Sequence, residues 1–324
     1  MIVTGLPVLL GPKIKITFCK EEFMRWKSGR RSSNVEDRRG QKARFNTAGS
    51  SAGLLNFIPL LVRTKTGRII LAVGVLVFFG TRMVGIDLLP LLLGGRATTV
   101  ADQPYELTPA DIESGDFVSA VLADTEDTWR AIFQSQGGTY KEPTLVLFSD
   151  QVSSACGMAS AAVGPFYCPG DQQVYLDLSF FRDLKQRHGA PGDFAQAYVI
   201  AHEVGHHVQN LMGVSSQVRA AGRGKSKAEV NALSVKQELQ ADCFAGLWGY
   251  AVNVDRQILD PGDLEEALTA ATAIGDDRLQ KDAGRRVVPD SFTHGTSAQR
   301  VEWFTKGFES GDIASCDTFS AAIR

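Results

Sequence analysis

Two histidines and a glutamate have the clearest chemical meaning in this chain. They are His202, Glu203 and His206, in the spacing His-Glu-x-x-His, within residues 193–212, where the apolar pattern predicts a helix. Residues four apart lie on one face of a helix, so both imidazoles can bind one metal ion. Two histidine nitrogens suit zinc, and Glu203 can flank the ion and take a proton from a water bound to it. The pattern therefore predicts a catalytic site with one Zn²⁺ ion.

Histidine is rare in this chain, which gives the spacing more weight. The chain has five His, and three of them are His202, His206 and His207. A one-residue step turns a helix by about 100°, so His207 lies off the face shared by the other two. We expect His207 to be a helix-surface residue or to support a ligand from outside, and not to bind the metal.

A catalytic zinc ion usually has three protein ligands, so one more is needed. The best candidate is Glu238, which lies four residues before Asp242 on a second predicted helix. Glu238 can bind the ion while Asp242 accepts a hydrogen bond from a ligating imidazole and fixes its tautomer. The apolar residues that follow favour burial of this pair, although a solvated acidic stripe has the same spacing. Glu229 and His294 are the competing third ligands.

His294 lies in a loop ahead of the last predicted helix. An exposed histidine near zinc can hydrogen-bond the oxyanion that forms during hydrolysis. A histidine at a helix start with no catalytic role fits the spacing equally well. Both interpretations stay open from the residues alone.

Four of the five cysteines lie in residues 96–324: Cys156, Cys168, Cys243 and Cys316. An even number of cysteines in an exported domain predicts two disulfides. Three pairings are open, and one of them joins Cys156 to Cys168 locally and Cys243 to Cys316. The alternative, a zinc site made of all four, lacks the usual close Cys-x-x-Cys spacing.

The local patterns predict many helices and few strands. Residues 150–171 are rich in small residues and Pro and are predicted to be a loop. The fold class that follows is α+β, dominated by helices, with a small sheet. The predicted helices are residues 108–136, 179–188, 193–212, 226–252, 263–281 and 296–309, and the predicted strands are residues 144–148 and 173–178.

Charge is distributed unevenly along the chain. Residues 1–68 hold 14 Lys+Arg and 4 Asp+Glu, although the whole chain has a net charge of -2. Residues 1–67 are therefore predicted to be a basic, largely disordered head, with 25–53 mostly disordered. The apolar run in residues 68–95 predicts a single transmembrane helix, with a buried or interfacial helix as the alternative. The positive-inside rule then puts the head in the cytoplasm and residues 96–324, the zinc metallopeptidase domain, outside.

Several segments resemble a bacterial family, the neutral zinc metallopeptidases of the YpfJ type. The resemblance implies a membrane-anchored, zincin-like peptidase in which Glu238 completes the zinc site. It also implies that the family's sequence starts at Met24 and that residues 1–23 are extra. The Glu238–Asp242 pair is more remotely similar to the E-x-x-x-D pair of the HtpX-type peptidases, which also carry a late histidine, here His294. The matching segments are residues 24–26, 33–39, 164–171, 192–209, 238–246 and 292–300.

Together these patterns predict a membrane-anchored, zinc-dependent peptidase with Glu203 as general base. Its partners would be a peptide or protein substrate and the lipid bilayer, with no nucleic acid, since the domain is acidic. The expected location is the bacterial inner membrane, with the catalytic domain on the periplasmic side. Residues 173–178 are a candidate strand for pairing with an extended substrate. The alternative function is a membrane-tethered binding or scaffold protein with a vestigial zinc site.

Overall fold

The computed structural model describes residues 24–41, 63–64, 107–160 and 163–320. They belong to two compact units. The sheet unit comprises residues 34–116 and 143–180, and the helical unit comprises residues 1–33, 117–142 and 181–324. The elements in chain order are β1 (Val35–Asp37), α1 (Pro109–Ser135), β2 (Thr144–Phe148), β3 (Gln151–Ser154), β4 (Gly157–Ser160), β5 (Phe166–Cys168), β6 (Gln173–Asp177), α2 (Ser179–Gln186), α3 (Asp193–Leu211), α4 (Val214–Ala221), α5 (Lys227–Tyr250), α6 (Asp263–Ala273), α7 (Asp276–Asp282) and α8 (Ser297–Ser310).

The sheet unit is built on a four-stranded sheet with the strand order β1-β2-β6-β5. β1, β2 and β6 are parallel, and β5 is antiparallel to β6. β2 is a continuous apolar run, as expected for a strand that is buried on both faces. Val146, Phe148, Val152 and Tyr175 form its buried cluster. A disulfide between Cys156 and Cys168 joins the turn of the β3–β4 hairpin to β5.

The sequence analysis was incomplete in this unit. Residues 150–171 were expected to be a loop but form the β3–β4 hairpin and β5. These strands have three or four residues each, too few to show an alternating pattern, and pairing with neighbours defines them. β6 was expected to have an edge for substrate, but it pairs with β2 along Gln173–Asp177 and with β5 over Gln173–Tyr175. β6 is therefore an interior strand, and that expectation is wrong.

In the helical unit, α5 packs closely against both α3 and α8. A Cβ atom on Gly246 of α5 would overlap the carbonyl oxygen of Phe304 in α8. A Cβ atom on Gly205 of α3 would lie 3.0 Å from the carbonyl oxygen of Ala241 in α5. Glycine at these two positions lets the helix backbones touch, which fixes the three helices against one another. The second disulfide, Cys243–Cys316, ties α5 to the chain that follows α8.

Most helices lie where the sequence predicts them, with two differences. The helix expected over residues 263–281 is two helices, α6 and α7, which are separated at Gly275. A Cβ atom on Gly275 would overlap Ser297, so the chain turns there to let α8 begin. Helix α4 was not expected; Gly213, with φ 79°, separates it from the end of α3.

The expectation of a disordered head is wrong for residues 24–41. Val35–Asp37 pairs in register with β2, and Met24 and Trp26 are buried. A three-residue strand paired across a long sequence separation leaves no periodic signal, which explains the error. The described part of the head is therefore built into the folded chain.

The same strand bears on the expected topology. The predicted transmembrane run at residues 68–95 lies outside the described residues. Within the part of the chain that the structure describes, no helix is long and apolar enough to cross a bilayer. The hydrogen bonds between β1 and β2 require both strands to lie on the same side of any membrane. A cytoplasmic head with an external domain is therefore inconsistent with the structure for residues 24–41.

Candidate metal centre

Helix α3 carries the His-Glu-x-x-His residues in the interior of the helical unit. Its apolar face includes Phe194, Tyr198 and other buried residues, and this burial gives the helix a rigid position. The rings of His202 and His206 meet edge to face with centroids 4.8 Å apart, because a four-residue step brings both to one side of the helix. His202 is 7% exposed and Glu203 8%.

Helix α5 brings Glu238 to this pair. Its Oε2 lies 3.2 Å from His202 Nε2 and 3.4 Å from His206 Nε2. The three candidate ligand atoms lie within 4.8 Å of one another. One carboxylate and two imidazoles at these separations can converge on a single ion, with room for a water at a fourth position.

Asp242 lies one turn further along α5, beneath His202. Its Oδ1 is 2.9 Å from His202 Nδ1, so the imidazole donates from Nδ1 and directs Nε2 towards Glu238. Tyr198 also donates to Oδ1, at 2.6 Å. Arg300 of α8 donates to both Asp242 oxygens, at 2.9 Å each. The carboxylate thus has a complete set of buried partners and fixes the tautomer of His202.

His206 has an equivalent support made of amides. Its Nδ1 lies 2.9 Å from Oε1 of Gln209 and donates to it, since an amide oxygen only accepts. The amide of Gln209 is itself held, because its Nε2 donates to the Gln237 carbonyl oxygen at 2.7 Å and to Gln240 Oε1 at 3.0 Å. Both histidines therefore direct Nε2 towards the same point.

Electrostatics in the centre favours a cation. Burial raises the pKa of Glu238, but the two imidazoles outweigh burial and hold it well below its usual range. Burial likewise raises the pKa of Asp242, but Arg300 and His202 bring it to about 2. Burial lowers the pKa of His202, yet Asp242 and Glu238 outweigh it and raise the value to about 10. At neutral pH His202 is therefore protonated in the metal-free site, and the two ionised carboxylates beside it form a site where a metal ion can replace that proton.

Glu203 differs from the other acidic groups of the centre. In the described part of the chain, no donor hydrogen-bonds its carboxylate. Its side chain is nevertheless close enough to the ligands to influence the pKa of His206. A buried carboxylate with free acceptor capacity beside a metal site has the position required of a general base.

His294 lies in the loop before α8, half exposed. Asp276 at the start of α7 organises this loop by accepting hydrogen bonds from the backbone N–H groups of Thr293, His294 and Gly295. Its other oxygen is 3.3 Å from His294 Nδ1 and raises the pKa of the imidazole, to which Glu238 also contributes. The structure thus brings His294 within the electrostatic influence of the metal centre.

The remaining candidates lie elsewhere. His207 is fully buried and donates from Nε2 to the carbonyl oxygen of Lys141 at 2.6 Å, so the expected surface position is wrong. Burial lowers its pKa to about 4, which keeps the ring neutral. Glu229 forms the capping box of α5 with Ser226 and is exposed, so it is not one of the converging groups.

Sequence reasoning missed Arg300 and Tyr198. Arg300 shares the buried face of α8 with Trp303, Phe304 and Gly307. An arginine on an apolar stripe needs a buried carboxylate, and that signal could have linked it to Asp242. Tyr198 lies four residues before His202, hence on the same face of α3.

The residues present fit zinc. The donor set is two imidazole nitrogens and one carboxylate oxygen, each imidazole is oriented by a hydrogen bond from its other nitrogen, and the acceptor oxygen of Glu238 faces both rings. This is the ligand type and number of catalytic zinc sites. His202, His206 and Glu238 would hold the ion.

Comparison with known proteins agrees with the site. Residues 24–319 match the family described as "Putative neutral zinc metallopeptidase". "Uncharacterized protein YpfJ" of Escherichia coli K12 is 48% identical over 303 residues, which covers 93% of this chain and 100% of that protein. "Uncharacterized protein Rv2575" of Mycobacterium tuberculosis H37Rv is 43% identical over 216 residues, 64% of this chain and 72% of that protein. No solved structure matches the chain. The chain therefore belongs to the neutral zinc metallopeptidase family.

Proposed function

We propose that the protein is a zinc-dependent peptidase that hydrolyses peptide bonds of peptide or protein substrates. The observation that carries the proposal is the convergence of His202 Nε2, His206 Nε2 and Glu238 Oε2. Beside them is the carboxylate of Glu203, which accepts no hydrogen bond from the residues that the structure describes. A purely structural zinc site commonly fills its fourth position with protein and has no need of such a carboxylate.

The chain's residues have separate roles in this proposal. Zinc, when bound, supplies Lewis acidity that polarises the scissile carbonyl and lowers the pKa of water. Glu203 takes the proton from the attacking water, whose oxygen bonds to the carbonyl carbon, and delivers it to the nitrogen as the C–N bond breaks. Asp242 and Gln209 accept hydrogen bonds from Nδ1 of His202 and His206 and so keep each Nε2 directed towards the metal position. His294 donates a hydrogen bond to the developing oxyanion.

We further propose that the site works outside the cytoplasm of a bacterial cell, at the inner membrane. The two disulfides support this, since disulfides persist in oxidising compartments. Because β1 pairs with β2, residues 24–41 have to lie on the same side as the catalytic domain. With both flanking segments on one side of the bilayer, the predicted anchor at residues 68–95 would attach as an interfacial helix, the alternative to a single span.

The experiment compares the full chain with Glu203→Gln, using casein and a peptide library as substrates and measuring zinc content of both proteins. The full chain is used because residues 24–41 belong to the fold. We expect Glu203→Gln to keep its zinc and to lose about 10²–10⁴-fold in turnover, the usual contribution of a general base. Glu302→Gln, an exposed carboxylate on α8, is the matched control and should retain activity.

Two results would contradict the mechanism. Equal cleavage by the wild type and Glu203→Gln would remove Glu203 from the chemistry. Stoichiometric zinc in both proteins with no cleavage of any substrate in the library would favour the alternative, a tethered binding protein with a non-catalytic metal.

A further inference from the structure

Three carboxylates gather at the N-terminal end of α3, far along the helix from the metal centre. Asp193 begins α3, and Asp263 and Glu266 lie in the first turn of α6. One oxygen from each lies within 4.8 Å of the others. Among the described residues, no Lys, Arg or His forms an ion pair with any of the three. The nearby Arg25 pairs instead with Asp260, at 3.5 Å.

The cluster has an incomplete set of partners. Glu266 accepts the backbone N–H of Phe194 at 3.0 Å, and Asp263 accepts that of Asp260 at 2.8 Å. Asp193 is only 9% exposed, and within the described residues its Oδ2 is buried with no hydrogen-bond partner. A buried carboxylate oxygen without a hydrogen-bond donor destabilises the folded state, and repulsion among three neighbouring carboxylates destabilises it further. Burial, with Asp263 and Glu266 adding to it, raises the pKa of Asp193 to about 7.

The backbone nitrogen of Met24 donates to the other oxygen of Asp193. It lies 3.4 Å from Oδ1 of Asp193, and Met24 is 2% exposed. The next residues hold it there, because Arg25 N donates to the Ile258 carbonyl oxygen at 2.9 Å and Trp26 packs edge to face on Phe117. A peptide nitrogen at this position offers one hydrogen and no charge, whereas an α-ammonium offers three hydrogens and a positive charge.

The family match begins at this same residue. The family model covers residues 24–319, and 93% of this chain accounts for 100% of the Escherichia coli relative. Both matches are those expected if the shared polypeptide starts at Met24. A chain with its first residue there has the α-amino group at the position where the acidic cluster needs a cation.

We propose that the α-ammonium group of Met24, present when translation starts at that residue, is the cation bound by Asp193, Asp263 and Glu266. The ammonium compensates one negative charge of the cluster and donates to Asp193, whose Oδ2 has no donor among the described residues. It joins the N-terminus to the first turn of α3 and so secures the helix that carries His202 and Glu203. In a chain with residues 1–23 attached, the same nitrogen is an amide and carries no charge.

The experiment uses two chains, one starting at Met24 and one with a single glycine ahead of Met24. The glycine moves the ammonium by one residue, about 3.6 Å, and leaves every side chain in place. Each is made as the wild type and as Asp193→Asn, and the Tm of all four is measured. We expect Asp193→Asn to lower the Tm of the Met24 chain by about 2–6 °C. In the glycine-extended chain it should raise the Tm or leave it unchanged, because it removes an unpaired buried charge.

Equal shifts by Asp193→Asn in the two chains would overturn the proposal. It would also be overturned if CaCl₂ or MgCl₂ raised the Tm of both wild-type chains equally and Asp193→Asn abolished that rise, since the cluster would then be a divalent-cation site. Acetylation of the α-amino group is a second measurement that needs no variant. It should be slow in the folded Met24 chain and fast after unfolding, and a fast reaction in the folded chain would contradict the proposal.

Discussion

Two groups of carboxylates lie beside helix α3, one at the metal centre and one at the helix N-terminus, and they differ in their partners. In the metal centre, Asp242 is fully buried but accepts hydrogen bonds from Arg300, Tyr198 and His202. At the N-terminal end, Asp193 is almost as buried but has one oxygen without a donor among the described residues. Burial is therefore similar, and the difference lies in the partners.

This difference appears in the proton affinities. The pKa of Asp242 falls to about 2, because Arg300 and His202 outweigh its burial. The pKa of Asp193 rises to about 7, because burial dominates and its neighbours are also acidic. The two clusters of carboxylates beside α3 thus differ in how their charge is compensated. One is complete and orients a metal ligand, and the other requires a cation from outside its own side chains.

The largest expected effect follows from the loss of Arg300, the buried cation that pairs with Asp242. Arg300→Met removes the guanidinium and leaves Asp242 as an uncompensated buried charge, which costs about 3–5 kcal/mol of unfolding free energy. Urea denaturation of the metal-free protein measures it. Arg278→Met on α7 is the control, because its ion pair with Asp282 is exposed and contributes less than about 1 kcal/mol. Equal losses in the two variants would show that Asp242 does not depend on Arg300.

The second prediction concerns the direction of the pKa shift of Asp193 in the full 324-residue chain, where the nitrogen of Met24 is an amide. The folded pKa of about 7 exceeds the ordinary 3.8, so the folded state holds the proton longer than the unfolded state does. The stability is therefore present below pH ~4 and lost as pH rises towards 7. One pKa unit corresponds to about 1.4 kcal/mol. Because Glu266 is partly exposed and solvent screens the cluster, the expected loss of unfolding free energy is reduced to about 3 kcal/mol.

Asp193→Asn isolates this contribution, because the other titrating groups remain in both proteins. Asp263, Glu266, Asp260 and Arg25 are the charged groups around it. The unfolding free energy of the wild type minus that of Asp193→Asn should fall between pH 4 and pH 7. A difference that stays flat or rises with pH would show that Asp193 already has a cation in the full chain.

Local spacing explains which parts of the molecule could be predicted from sequence. His202 and His206 are four apart on α3, and Glu238 and Asp242 are four apart on α5, so helix geometry alone places each pair on one face. The helix-dominated α+β class follows from the same periodic signals. That α3 and α5 meet at all depends on contacts such as Gly205 against Ala241, which no local pattern contains.

The features that sequence reasoning missed all depend on long-range contacts. β1 has three residues and is defined by its pairing with β2, more than a hundred residues later. The acidic cluster needs α3, α6 and Met24 to come together. Arg300 is the exception, because its place on the apolar face of α8 was a usable signal.

The smallest expected effect is on zinc affinity, which should depend on Asp242 in the metal centre but not on Asp193 at the N-terminal end of α3. Asp242→Asn keeps an acceptor for His202 Nδ1 but removes the charge that increases the basicity of the ring, and it leaves Arg300 without its anion. Loss of such a support typically weakens metal binding by about 10–100-fold. Asp193→Asn is the matched change at the first residue of α3, and it touches no candidate ligand. Zinc affinity should therefore fall for Asp242→Asn and stay unchanged for Asp193→Asn. It is measured by competition with a chromogenic chelator, on variants whose helical content is intact.

Equal weakening of zinc binding by both substitutions would mean that any negative charge near α3 sets the affinity. The hydrogen bond from His202 to Asp242 would then not be what strengthens zinc binding.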